Sequence, residues 1–374
     1  MPGPESHWPA LPYERLRATL DTLHMYVQIA GKLMLRTPFQ PEWANVALQL
    51  GPRGLGTGAI PSGLDSFSID FDLVGHAVAV AHGDGRTISF PLRHRSVADF
   101  LAMLQQALRA LGVDPSLNLK PQEVGDAVAF DADLEHSTYD PEAANTWWRA
   151  MSSVSRPLSE FQGRFRGRTA PLGFMWGTFD QRVVRFDGRP ASLEPWKGLI
   201  RRAAMDAGQY EVGFWHGQDA YPRAALYAFT YPQPAGIESA RVGPDGARWD
   251  TAMGEHLIDW DEVRASPDPA EAVLEFAQST YEAGSRAAGW PPELDVFGAL
   301  AAAVTSAAGD ASRLAPALEA YLGRHFTVED VASRLRALEA TYLQQRPTAP
   351  WPEWCARRLG RPPADGMGIP APGT

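Results

Sequence analysis

The chain has 374 residues, of which 45% are hydrophobic and 21% charged, and this composition is typical of a globular protein with a sizeable core. A formal net charge of −10 argues against nucleic acid as a partner, because phosphate binding requires a basic surface. The single cysteine, Cys355, excludes internal disulfides and zinc sites built from several cysteines. We find no signal-peptide pattern and no uncharged apolar run of the roughly 18 residues that a membrane span needs, so we expect a cytoplasmic protein without membrane contact.

The first half of the chain, about residues 1–125, predicts a long N-terminal helix, several strands and a second helix. The N-terminal helix ends near Arg36. Gly83-Asp84-Gly85 is typical of a hairpin turn, and Ser96 with Asp99 is typical of a helix start. The predicted strands are 46–50, 67–73, 77–81 and 87–92, and the second helix is 96–111.

The second half, about residues 126–290, repeats this outline of a helix, strands and a helix. Asp140-Pro141 suits an N-cap followed by the first helical position. The predicted helices are 140–165 and 267–288, and the strands are 172–186, 210–215, 224–231 and 256–260. Because strands follow one another without intervening helices, we predict an α+β fold of two helix/antiparallel-sheet halves, not a doubly wound α/β fold.

Residues 291–345 predict a helical extension. Thr327 with Asp330 resembles a capping box, and the apolar residues that follow recur at spacings of three and four. We expect a helical hairpin that packs on the main body or forms a homodimer with a second copy. Residues 346–374 are rich in Pro and Gly and predict an extended tail.

The N-terminal helix carries a stripe of polar residues through apolar surroundings. His24, Gln28 and Lys32 are four residues apart and share one helix face, with Asp21 one turn earlier. Only three of the 34 basic residues are lysines, so Lys32 stands out in an arginine-rich chain. The stripe either lines a polar site, with acceptors supplied for example by the later helix that holds Glu275, or simply faces solvent.

The segment 174–182 offers a second group of polar residues. On a strand, Trp176, Thr178, Asp180 and Arg182 would share one face, which suits a small polar or anionic ligand. The alternative is a structural Asp180–Arg182 pair beside core aromatics, with Gly177 as a bulge that breaks the alternation.

The loop 131–140 concentrates titratable groups before a helix. His136 would serve as a general base near neutral pH, although a turn and capping cluster explains the same residues. A metal site from His24, His136 and a carboxylate is conceivable, but their spacing does not require one. The sequence identifies no cofactor, and it contains no phosphate loop, nucleophile elbow or His-Glu-x-x-His helix.

Several motifs together resemble an uncharacterised bacterial family, domain of unknown function 5996, over about residues 8–290. They include Thr22-Leu23-His24, Gly31-Lys32, Ile69-Asp70-Phe71-Asp72, Trp176-Gly177 and Gln278-Ser279-Thr280-Tyr281. The resemblance implies that the polar helix face is a family feature, and it implies no activity. It also implies a diverged member, because residues 40–45 and Gly173 stand where the family tends to carry histidines.

We therefore expect an enzyme that acts on a small polar or anionic metabolite, in specialised metabolism for instance. His24, His136 and Asp180 would transfer protons. Lys32 and Arg182 would hold an anionic group, while Gln28, Trp176 and Thr178 would line the ligand site. The alternative is a non-catalytic binding or assembly protein in which the polar helix face is a buried structural network.

Overall fold

A computed structural model describes residues 7–125, 127–192, 198–323, 325–345 and 350–359. Helices and antiparallel sheets both contribute, which confirms the predicted α+β fold. The described chain forms two compact units. The first comprises the residues up to Gln162 and Arg168–Gly289, and the second comprises Gly163–Gly167 and the residues from Trp290 onward.

The first sheet of the first unit follows the N-terminal helix. It has the order β1-β2-β4-β5-β6, with β3 paired to β4. The predicted cap of α2 is confirmed, because Oγ of Ser96 accepts a hydrogen bond of 3.1 Å from the backbone N–H of Asp99. The elements are α1 (Tyr13–Met34), β1 (Gln49–Leu50), β2 (Gly54–Gly56), β3 (Ile60–Ser62), β4 (Asp65–Asp72), β5 (Ala77–His82), β6 (Thr87–Pro91) and α2 (Val97–Ala110).

The second sheet has the order β11-β12-β10-β9-β8-β7, and all its pairings are antiparallel. The predicted cap at Asp140 is confirmed, since its carboxylate accepts from the N–H of Glu142 at 2.9 Å. The elements are α3 (Pro141–Gly163), β7 (Thr169–Met175), β8 (Asp180–Pro190), α4 (Leu199–Ala204), β9 (Ala207–Trp215), β10 (Ala225–Tyr231), β11 (Arg248–Asp250), β12 (Glu255–Asp259), α5 (Trp260–Ala265) and α6 (Pro269–Ala287).

Helix α1 passes from the surface into the core of the first unit. In its first half Arg17 and Asp21 are 44% and 41% exposed, whereas every residue from Met25 to Met34 is buried. The solvent-facing interpretation of the polar stripe therefore holds for the start of the helix and is wrong for its end. Gln28 and Lys32 lie in the buried part.

Strand alternation divides the second sheet into an apolar and a polar face. Val183 on β8 and Val212 on β9 are directly paired and fully buried in the core. On the opposite face Arg182 pairs with Gly213, and Gly213 pairs with Tyr227 on β10. A Cβ at position 213 would lie 2.5 Å from Cε1 of Tyr227, so glycine lets this ring cross the strand. The sheet thus brings polar side chains from three strands together.

The second unit is helical. It contains α7 (Val296–Ala307), α8 (Ala311–Leu322), α9 (Val328–Gln345) and α10 (Trp351–Leu359) around a shared apolar core. The predicted cap of α9 is confirmed, because Oγ1 of Thr327 accepts from the N–H of Asp330 at 3.1 Å. The expectation of an extended tail is wrong over Trp351–Leu359, where Cys355 and Leu359 are fully buried. Residues 346–349 and 360–374 of that tail lie outside the described residues. Among the helices described, none is both long and apolar enough to cross a membrane.

Candidate functional site

The segment 174–182 is a hairpin and not a single strand. Strand β7 ends at Met175, and the turn closes where the N–H of Phe179 donates to the carbonyl of Met175 at 2.8 Å. The prediction that Trp176, Thr178, Asp180 and Arg182 share one strand face is therefore wrong, because the chain reverses around Gly177. Asp180 and Arg182 keep their common face on β8.

His24 binds the backbone of this turn. Its Nε2 lies 3.0 Å from the carbonyl oxygen of Trp176 and 3.1 Å from that of Gly177, and its ring centroid lies 4.7 Å from that of Phe179. Carbonyl oxygens only accept, so Nε2 carries the hydrogen and Nδ1 carries the lone pair. Burial lowers the pKa of His24 to about 4, so the ring is neutral at neutral pH.

Gln28, the next residue of the stripe, clamps the loop between α2 and α3. Its Nε2 donates to the carbonyl of Gln122 at 2.7 Å, and its Oε1 accepts from the N–H of Gln122 at 2.7 Å. These two bonds fix the orientation of the amide. Nε2 of Gln28 lies 3.1 Å from Nε2 of His24, and because both nitrogens donate to carbonyls, this contact is not a hydrogen bond.

Lys32 lies deepest along the stripe. Its side-chain Nζ donates to Oε1 of Gln122 at 3.3 Å and lies 5.6 Å from the ring centroid of Trp176. The residue is 7% exposed, and burial lowers its pKa. The acceptor comes from the loop that holds Gln122 and not from α6, where Glu275 had been considered.

On the other side of the turn, Asp180 and Glu211 share the hydroxyl of Tyr227. Oη of Tyr227 is bonded to Oδ2 of Asp180 and lies 2.9 Å from Oε1 of Glu211, while Thr178 donates to Oδ1 of Asp180. One hydroxyl hydrogen cannot serve two carboxylates, so a further proton must reside on this pair. Burial is the main cause of a raised pKa in both acids, and it brings Glu211 to about 7.

Arg182 is occupied by a buried ion pair. It binds the carboxylate of Glu42, donates from Nη2 to the carbonyl of Glu42 at 3.0 Å, and places Nε 3.8 Å from Oε2 of Glu211. Glu42 and Trp43 have φ of 61° and 55°, a left-handed conformation that side chains seldom adopt. Burial raises the pKa of Glu42 to about 8. The guanidinium is therefore engaged within the protein, and its role in holding an anionic ligand stays a prediction.

The carboxylates around Arg182 outnumber the positive charge. Glu255 on β12 is half-buried, and burial with the charges of Glu211 and Asp180 raises its pKa to about 7. At neutral pH this group consequently holds protons that it would lose in water. Within the described ranges no group of three or more His, Cys, Asp or Glu residues is arranged to hold a metal ion.

A second histidine, His216, packs on Phe179 of the turn. The ring centroid of His216 lies 5.1 Å from that of Phe179, on whose ring His24 also packs. Burial lowers the pKa of His216 to about 3, and Nδ1 of this residue is buried without a hydrogen-bond partner among the described residues. Sequence reasoning missed His216, as it missed Glu42, Glu211 and Tyr227, because none belongs to a local pattern.

His136 lies apart from this cluster. Its Nδ1 is 2.8 Å from Oδ2 of buried Asp133, whose Oδ1 accepts from the N–H groups of Glu135 and His136. This geometry matches the turn-and-capping alternative. The structure thus gathers the other seven predicted site residues around the turn and leaves His136 at the edge.

Residues 8–295 match the family of unknown function DUF5996. The chain belongs to this family. No curated protein and no solved structure gives a significant match. Gly173 and the 40–45 stretch lie side by side in the fold, because Arg182 pairs in register with Gly173 and binds Glu42.

Proposed function

We propose that this protein is an enzyme that transfers protons to and from a small polar metabolite at the turn between β7 and β8. The observation that carries the proposal is the hydroxyl of Tyr227 between the carboxyl groups of Asp180 and Glu211. Paired acids with raised pKa values and a neutral histidine nearby are typical of general acid–base catalysis near neutral pH. Specialised metabolism is a setting in which such an enzyme would serve.

The groups divide into an acid and a base. The proton shared by Asp180 and Glu211 is available to a substrate, and Tyr227 relays it between the two acids. His24 would accept a proton at Nδ1, because its Nε2–H is held by the carbonyls of Trp176 and Gly177. The protonated carboxyl pair and the unprotonated Nδ1 of His24 lie at the same turn. Such a pair of groups suits a reaction that removes one proton from the substrate and adds another.

Charge guides the choice of substrate. Arg182 is bound by Glu42, whereas Lys32 has no ion-pair partner among the described side chains. An anionic group would therefore bind at Lys32 when its amine is protonated, beside the ring of Trp176. Hydroxyl or amino groups of the same metabolite would bind near the carboxyl pair, because acids pair with donors.

Comparative metabolite profiling tests the enzyme proposal. The full chain and its Asp180→Asn and His24→Asn variants are incubated with a bacterial metabolite extract, and consumed compounds are measured by mass spectrometry. We expect a compound that the parent protein consumes and both variants spare. Asp261→Asn, which changes a carboxylate that is 80% exposed, should behave like the parent. If no compound is consumed by the parent beyond what both variants consume, the proposal is rejected.

The non-catalytic alternative is favoured by the Gln28 clamp, which uses the polar helix face to hold a loop. Under this alternative the same variants lower the free energy of unfolding and leave any compound that co-purifies with the protein in place. Denaturant titration together with native mass spectrometry separates the two outcomes. Retention of an unchanged compound by all variants would support binding without turnover.

A homodimer through the C-terminal helices stays a prediction. Helix α9 exposes Val328 and Leu343 at 50% and 66%, which leaves apolar surface for a second copy. Light scattering of the full chain and of Leu343→Glu measures the mass directly. We expect a dimer that Leu343→Glu weakens, and a monomeric parent protein would overturn this prediction.

A further inference from the structure

Lys32 is a buried primary amine that has no counter-ion among the described residues. The residue is 7% exposed, and the carboxylate of Glu123 lies against Gly177 of the same turn without forming an ion pair with Lys32. Within the described part of the chain its Nζ has one hydrogen-bond acceptor, Oε1 of Gln122 at 3.3 Å. The three N–H groups of a protonated Lys32 would thus have one long hydrogen bond to Gln122 and the face of the Trp176 ring as their partners.

These surroundings favour the uncharged amine. A buried ammonium is stable when paired carboxylates or several acceptors surround it, and over the described ranges Lys32 has one acceptor and no ion pair. Burial is the cause of its lowered pKa, and no neighbouring acid opposes the shift. The uncharged form has a lone pair on Nζ and needs fewer partners, so the site is better matched to an amine than to an ammonium.

The residue type supports the same conclusion. Arginine supplies 31 of the 34 basic residues, yet lysine is found at this buried position. A guanidinium remains protonated under all ordinary conditions, whereas a lysine amine can lose its proton and act as a nucleophile. A site that required only positive charge would be served by arginine.

We propose that Lys32 is an amine nucleophile that forms a Schiff base with a small aldehyde or ketone. As a statement about substrate class this rests on the proposed enzyme function, and it makes the substrate a carbonyl compound. The lone pair of Nζ attacks the carbonyl carbon, and the amine proton passes to the carbonyl oxygen to give a carbinolamine. The C–O bond then breaks, water leaves with the second amine proton, and an imine remains.

The neighbours of Lys32 are placed to assist this step. Oε1 of Gln122 accepts a hydrogen bond from Nζ of Lys32 and so orients the lone pair of that nitrogen. The side chain of Gln28 holds Gln122 in place through two hydrogen bonds to its backbone. The ring of Trp176, packed on Gly31, forms an apolar wall beside Nζ. A wall of this kind slows hydrolysis of an imine because it keeps water away.

Reductive trapping tests the proposal. The full chain is mixed with acetaldehyde or glyoxylate at neutral pH and reduced with sodium borohydride, and the modified lysines are located by peptide mass spectrometry. Exposed Lys120 is the internal reference. We expect Lys32 to be labelled several-fold faster than Lys120, since a lowered pKa raises the fraction of the amine that is uncharged at neutral pH. Preference for glyoxylate over acetaldehyde would show that a carboxylate is recognised as well.

Two variants and a pH series complete the test. Lys32→Arg should abolish the fast label, and Lys120→Arg should leave it intact. Labelling of Lys32 no faster than that of Lys120, or a rate that keeps rising up to the ordinary lysine pKa of 10.5, would overturn the proposal. The result is independent of the metabolite-profiling experiment, because trapping needs no turnover and uses neither Asp180 nor His24.

Discussion

The indole of Trp176 lies directly on the backbone of Gly31, and a Cβ at position 31 would overlap the ring. This contact joins helix α1 to the β7–β8 turn and brings the polar stripe against the residues of the hairpin. It explains why two segments separated by more than a hundred residues form one site.

Gly31→Ala should therefore be strongly destabilising. Alanine normally stabilises a helix interior, but here the ring must move or the helix must shift, which costs about 1–3 kcal/mol. Chemical denaturation monitored by tryptophan fluorescence measures the loss. Gly298→Ala in helix α7, where a Cβ meets nothing within 4 Å, is the matched control and should be neutral or stabilising. Equal effects of the two substitutions would contradict the contact.

Stability should be highest in mildly acidic solution. Burial raises the pKa of Glu42 to about 8 and of Glu211 and Glu255 to about 7 from 4.5, so their contribution is complete below pH 4.5 and is lost as pH rises to 8. Burial lowers the pKa of His24 to about 4 and of His216 to about 3 from 6.5, so their contribution is lost as pH falls below 6.5.

These opposite trends place the maximum between pH 4.5 and 6.5. Between pH 6.5 and 8 the pH dependence of stability comes from the carboxyl groups. The free energy of unfolding should fall by on the order of 2 kcal/mol over this range. Urea titrations across this range provide the measurement. Glu211→Gln should flatten the alkaline side, and a curve that rises toward pH 8 would show that these acids are ionised in the folded protein.

Tyr227→Phe should lower the free energy of unfolding, because it removes the hydroxyl between the two acids. Without the hydroxyl, Asp180 and Glu211 lose their common donor, and a buried acceptor left without a partner costs about 1–3 kcal/mol. The loss should be larger at pH 8 than at pH 6, because both acids are closer to ionisation. Tyr231→Phe removes an exposed hydroxyl and serves as control in the same urea titrations. A fully stable Tyr227→Phe would refute the shared-proton arrangement.

Arg182→Met should be among the most damaging substitutions in the first unit. It leaves Glu42 and Glu211 without their cation, and at pH 8 and above, where these acids ionise, breaking a buried ion pair costs about 3–5 kcal/mol. Arg17→Met removes an exposed pair with Asp219 and should cost less than about 1 kcal/mol. Denaturation midpoints compare the two, and adding Glu42→Gln to Arg182→Met should restore part of the loss. If Glu42→Gln restores none of the stability lost in Arg182→Met, Arg182 and Glu42 are not directly coupled.

Local patterns were the reliable part of the sequence. Ser96, Asp140 and Thr327 each cap a helix as predicted, because a cap involves residues two or three positions apart. The periodicity of His24, Gln28 and Lys32 correctly predicted a common helix face. Periodicity carries no information on depth, so it did not reveal that the stripe starts in water and ends in the core.

Long-range pairing was not predictable. Arg182 and Glu42 are 140 positions apart in the chain, and no spacing rule connects them. The hairpin at Gly177 was mistaken for a strand face since alternation alone cannot locate a reversal of the chain. His136 lies in the turn that Asp133 closes, as the capping alternative has it, and its role as a general base stays a prediction. The predicted roles of the site residues in catalysis stay predictions.

Helix α1 carries its polar stripe from the protein surface into the core. Asp21 and Lys32 are eleven residues apart, which corresponds to about 16 Å along the helix axis. Over that distance the side chains pass from 41% to 7% exposure on a rigid support. A single ionisable residue moved along this stripe one turn at a time would record how the local dielectric constant falls from the value of water to that of a protein interior.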